Sequence, residues 1–142
     1  MANDGIESAA PSMRWWGWGE ANRPPGLPAH ALDFLRESVG IAARPCPPVA
    51  LANVRLAPSE LSSETLGELR ALLGAAGVRD GHEERVLHAA GKGYPDLVRL
   101  RAGEPQGAPD AVLYPTDSAQ LAPLLELCAR RSLALVDRKS VV

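Results

Sequence analysis

Two short apolar runs, Ala111-Val112-Leu113-Tyr114 and Leu133-Ala134-Leu135-Val136, bracket a stretch with helical spacing. Pro109-Asp110 leads into the first run and Pro115 ends it, while Thr116, Asp117 or Ser118 offers a cap for a following helix. In that helix Leu121, Leu124, Leu125 and Cys128 recur at i, i+3, i+4 and i+7, which predicts one buried face and makes Cys128 a packed core residue rather than a nucleophile. Pro123 lacks a backbone donor, so the axis kinks or the helix starts late. Ser132 then turns the chain into the second run. Strand, helix, strand predicts a βαβ unit with a right-handed crossover and near-parallel strands. Ligands of such units bind where the carboxyl ends of the strands meet the loops.

The segments before this unit read as mainly helical. Pro28 opens a predicted helix with Leu32, Leu35 and Val39 on one face and Gly40 as its stop. Pro45-Cys46-Pro47-Pro48 interrupts regular structure, and Val49 to Leu56 reads as a short strand or an extended segment. From Leu61 the helical period returns: Ser62 or Ser63 caps it, Leu66, Leu69, Leu72 and Leu73 form its stripe, and Gly74 ends it. Residues 1–12 are small and polar without apolar periodicity, which predicts a disordered extension, and translation starts at Met1 or Met13. The three tryptophans fall within the four positions Trp15 to Trp18 and are expected to anchor a leading segment to the body of the protein.

Charge and motif spacing exclude several function classes. The 142 residues carry 15 basic and 17 acidic side chains, a formal net charge of -2, with no basic stripe to hold nucleic acid or an anionic membrane. No apolar stretch approaches the roughly 18 residues of a membrane span, and the amino terminus lacks a signal pattern, so a cytoplasmic location is expected. Cys46 and Cys128 are far apart, which argues against both a disulfide framework and a zinc cluster. His82 and His88 are six apart, about 240° around a helix, and cannot share a metal from one helical face. No metal site is expected. Gly91-Lys92-Gly93 has the composition of an anion loop but not the spacing of a Walker loop, and it reads as a turn into a short helix headed by Pro95 and closed by Arg99 and Arg101.

"MRWWGWG" from Met13, "RVLHAAGKGYPDLVRLRAG" from Arg85 and "APDAVLYPTDSAQLAPLLELCARRSLALV" up to Val136 together resemble the amino-terminal part of an FAD-linked oxidase of the vanillyl-alcohol-oxidase superfamily, with a PCMH-type FAD-binding domain. Within it, the similarity is to alkylglycerone-phosphate synthase-like proteins. The resemblance implies an α+β fold: a helical segment over residues 13–107, then the first βαβ of the FAD-binding domain over 108–136. It also implies FAD as cofactor and a small-molecule substrate. The activity would be oxidation of an alcohol or 2-hydroxy acid, or group exchange of the alkylglycerone-phosphate synthase kind.

In that family the strand matching Leu133 to Val136 continues into a glycine-rich loop around the FAD pyrophosphate, where glycine backbones approach the phosphates and aim N–H groups at them. Here Asp137-Arg138-Lys139 follows instead, and Asp137 would repel phosphate. Residues 137–142 are therefore expected to be non-native: they are what GAT-CGG-AAG-AGC-GTC-GTG encodes, a run matching a sequencing-library adapter, with a natural charged tail as the alternative. Pro115 and Thr116 are the residues expected near an edge of the FAD. Arg85, His88 and Tyr94 are expected in surface or interdomain hydrogen bonds, and no residue is assigned a catalytic role. A fragment cut before its cofactor loop would be inactive. The rival expectation is a small non-enzymatic α/β interaction module.

Overall fold

A computed structural model describes residues 13–23, 26–40 and 46–137. The expected disordered extension, residues 1–12, lies outside the described residues, as does all but Asp137 of the expected non-native tail. In chain order the elements are α1 (Ala29–Val39), α2 (Ser63–Leu73), β1 (Val78–Arg79), α3 (His82–Leu87), α4 (Tyr94–Arg101), β2 (Val112–Leu113) and α5 (Leu121–Arg130), with single 3-10 turns at Leu51–Asn53, Ala75–Gly77 and Ser118–Gln120. The fold is α+β, as the resemblance implied. It divides into two compact units, Met1–Arg55 with Ala90–Gln106 and Leu56–Ala89 with Gly107–Val142.

In the second unit the core is built on α2 and α5. Ser62 ends the extended chain and its hydroxyl accepts from the Thr65 N–H at 3.1 Å, which satisfies one of the orphan donors of the first turn of α2. Leu69 and Leu73 of α2 then bury against Val78, Leu124, Leu127 and Cys128. Arg131 donates to both Glu64 and Glu68, at 2.7 and 2.6 Å. Gly77 is required by contact: a Cβ there would lie 2.9 Å from the Cβ of Leu73. In the first unit Val54, Leu97 and Leu100 are buried. Gly103, at φ +82, ends α4 with its N–H on the Leu100 carbonyl and its own carbonyl accepting from Arg55. Val49 to Leu56, expected as a strand or extended segment, forms no strand: Val49 N–H donates to the Arg101 carbonyl, Ala50 is extended, and a 3-10 turn follows at Leu51–Asn53.

The strand pairing differs from the βαβ expectation. Val112 and Leu113 pair antiparallel with Arg79 and Val78, a strand of two residues too short to show alternation in the sequence. Leu133 to Val136 joins no ladder; Leu133 packs against the core while Leu135 and Val136 are exposed. The start of this run is held by the end of α5 instead. Leu133 N–H bonds to the Cys128 carbonyl and Ser132 N–H to that of Ala129, the paired bonds of a Schellman motif. Ser132 occupies the left-handed position at φ 54. A non-glycine residue there carries strain of about 1 kcal/mol. Ser132→Gly should therefore raise stability by about that amount, read as a higher urea midpoint at unchanged slope.

Two apolar faces also differ from expectation. In α5 the buried residues are Leu124, Leu127 and Cys128, while Leu121 and Leu125 are exposed, so the stripe is turned about one position from the predicted one. Pro123 resolves as a late start: it lies in the first turn of α5, after the 3-10 turn, where its missing N–H has no helical acceptor to lose. The helix α1 begins after Pro28 and ends at Gly40 in the left-handed region, as read from the sequence, but buries none of its residues: Val39 is exposed and Leu32 and Leu35 are half-buried.

Candidate functional site

The turn after β2 carries the two residues expected near a cofactor. Tyr114 is extended onto the Gly77 carbonyl, its N–H donating at 2.8 Å, and the chain then reverses through Pro115 into the 3-10 turn. Asp117 caps that turn by accepting from the Gln120 N–H at 3.1 Å. Gln120 folds back so that its Oε1 accepts from the Thr116 N–H at 2.8 Å and lies 3.3 Å from Thr116 Oγ1. Pro115 and Thr116 are exposed. The polar groups of Thr116 are thus engaged locally. No glycine stands at this turn to admit a phosphate, so the described residues here do not by themselves fit a dinucleotide pyrophosphate.

Beside the turn lies a polar cluster that sequence reasoning missed. The Tyr114 hydroxyl donates to the Glu84 carboxylate, which also accepts from Arg79 at 3.3 Å. His88 Nδ1 lies 3.0 Å from the Glu84 carbonyl and 3.4 Å from its carboxylate. The Arg79 guanidinium sits 4.7 Å from the Tyr114 ring centroid, and the His88 ring meets that ring edge-on at 6.3 Å. Burial pushes the Glu84 carboxyl up, but the Tyr114 hydroxyl, Arg79 and His88 together hold it below its ordinary range. A carboxylate so held is a weak base at neutral pH, and here it accepts from the Tyr114 phenol. The one sequence signal for this cluster was Glu84 four residues before His88, on one side of a helix.

One residue of the family-like polar segment is placed differently from expectation. Arg85 is not at the surface but buried within one unit, where its Nε donates to the Pro109 carbonyl at 2.7 Å and its Nη2 to that of Ala57 at 2.8 Å. Tyr94 is exposed at the start of α4, and His88 is half-buried against Glu84.

The tryptophan segment is anchored as its composition suggested. Met13 bridges Glu20, and the Arg14 N–H bonds to the Gly19 carbonyl, closing a tight reversal. Trp18 Nε1 donates to the Lys92 carbonyl at 3.0 Å, and Lys92 Nζ donates to the carbonyls of Arg14 and Gly17. Lys92 is thereby a clamp rather than a phosphate ligand. Asp96 Oδ2 lies 3.3 Å from where a Cβ would stand on either Gly91 or Gly93, and an acid there opposes an anion. No group of three or more metal-ligating side chains occurs among the described residues. No helix of the described residues is long and apolar enough to cross a membrane.

No protein-family profile matches the sequence. Protein Rv2250A of Mycobacterium tuberculosis is 37% identical over 109 residues, 77% of this chain and 73% of that protein. Alkyldihydroxyacetonephosphate synthase of Trypanosoma brucei brucei is 28% identical over 92% of the chain, and that of Dictyostelium discoideum 26% identical over 63%. Two solved structures of alkyldihydroxyacetonephosphate synthase superpose with TM-scores of 0.72 and 0.71 at 20% and 22% identity, each over 84% of this chain. The chain spans 25% and 15% of the two curated synthases and 26% of each solved one. By these matches the chain belongs to the family of the mycobacterial Protein Rv2250A and is alkylglycerone-phosphate synthase-like in sequence and fold.

Proposed function

We propose that this chain is part of an FAD-binding flavoenzyme that acts on a small-molecule substrate, by group exchange of the alkylglycerone-phosphate synthase kind or by oxidation of an alcohol or 2-hydroxy acid. The observation that carries this reading is the 28% identity to a synthase over 92% of the chain. The flavin, when bound, supplies the redox chemistry. The residues of this chain contribute scaffold: the fixed Tyr114 and the exposed Pro115 and Thr116 present an edge against which the cofactor packs, without phosphate contacts. The enzyme works in the cytoplasm and has no nucleic-acid partner, in keeping with a net charge of -2.

The test is flavin retention. The 142-residue chain, incubated with excess FAD and passed through gel filtration, should emerge colourless, because the Thr116 N–H is already bonded to Gln120. A polypeptide extended from the same locus to the length of the matched synthases should retain one FAD. Stoichiometric FAD on the 142-residue chain alone would overturn the scaffold reading. A second reading is favoured by the mycobacterial relative, which is itself of about this size, since 109 matched residues make up 73% of it. On that reading the chain is a self-contained, non-enzymatic α+β module, and an extended polypeptide that binds no flavin would select it.

A further inference from the structure

One unit of the protein holds a cleft of about 740 Å³ whose lining includes Arg14, Trp16, Trp18, Tyr94, Val98 and Arg101. That is the size range of small-molecule sites, and most of the wall is apolar. Its charge is one-sided. Among the described residues no aspartate or glutamate lines it, and neither Arg14 nor Arg101 joins an ion pair. Both guanidiniums approach the Trp16 ring, at 5.3 and 5.2 Å from its centroid.

Arg14 is the unusual member. It is only 8% exposed, donates to the Trp18 carbonyl, and buries its Nε with no acceptor among the described residues. A guanidinium taken out of water without a carboxylate keeps its positive potential in a poorly screened environment. The π faces of Trp16 soften that potential but do not neutralise it. An anion in the cleft would. A small hydrated ion would lose its water against apolar walls with little return, so the ligand must bring an apolar body of its own. Tyr94, 73% exposed, and Trp18, 61% exposed, present ring surface to that body. Flat rings stack on such surfaces at a smaller entropy loss than a flexible chain.

We propose that this cleft is a binding site for a small aromatic carboxylate, with Arg101 holding the carboxylate, Arg14 adding charge beside Trp16, and Tyr94 and Trp18 covering the ring. The site shares no lining residue with the turn at Pro115 and Thr116 and does not depend on flavin.

Calorimetric titration of the purified chain tests it, with 1-naphthoate as the probe, 1-naphthalenemethanol as the uncharged counterpart and decanoate as the flexible anion. One-to-one binding of naphthoate is expected, weakening with added salt. Arg101→Gln should raise its Kd about tenfold, the size of one charge-assisted hydrogen bond. Tyr94→Ala removes an exposed ring without touching the core and should raise it about fivefold. Arg55→Gln, outside the cleft, should leave it unchanged. The proposal fails if the alcohol binds within about twofold of naphthoate, if decanoate binds as tightly, or if the folded chain shows no saturable binding.

Discussion

Replacing Arg85 by methionine should destabilise its unit by about 2–3 kcal/mol, because two carbonyls lose their donor while the stem of the side chain keeps its packing. Arg85 is 9% exposed and joins three stretches of chain through the carbonyls of Ala57 and Pro109, 28 and 24 residues away. Methionine fills the same channel with a thioether that donates nothing. The Ala57 carbonyl belongs to an exposed residue and recovers a water partner in part, which holds the loss below the sum of two orphaned acceptors. Arg85→Lys keeps the charge but has no fork to reach both carbonyls, so it should lose about half as much. Urea unfolding followed by circular dichroism reads both variants. Equal midpoints for methionine and wild type would mean that the arginine only decorates the surface.

What the sequence made legible was the chemistry of ends. Ser62, Gly40, Pro95 and Asp117 each act within three or four residues of themselves, and each stands where its local role demands. Contacts made at a distance left no such trace. Lys92 clamps carbonyls 78 and 75 residues earlier, and Tyr114 meets Glu84 across 30 residues, so neither partner sits in the pattern that surrounds the other. The βαβ expectation failed for a related reason. Leu133 to Val136 has the composition of a strand, but composition does not supply a neighbour, and the edge of Val112–Leu113 that is paired faces Val78–Arg79. The α5 face erred by rotation only. Leu121, Leu124, Leu125 and Leu127 fan over about 160° of the α5 surface, and which of them turn inward depends on where α2 lies.

Leu69→Ala should be the most damaging single change in the α2–α5 core, at about 3–4 kcal/mol. Leu69 is 1% exposed and packs in the cluster that contains Val78, Leu124, Leu127 and Cys128. Removing three carbons there leaves a void between two helices that Arg131, bound to Glu64 and Glu68, already holds together, so the walls have little freedom to close it. Cys128 supplies an internal reporter. Cys46 is exposed and should react with a thiol reagent at once, whereas Cys128 is buried, its thiol pushed up by desolvation, and reacts only when the core opens. If reclosing outpaces labelling, its rate follows the opening equilibrium, and a loss of 3 kcal/mol should accelerate the slow phase by about 100-fold. The fast phase should not change. A slow phase that stays within about threefold of wild type would show that Leu69 is not the keystone of this core, since a deletion of that size cannot leave the opening equilibrium so nearly intact.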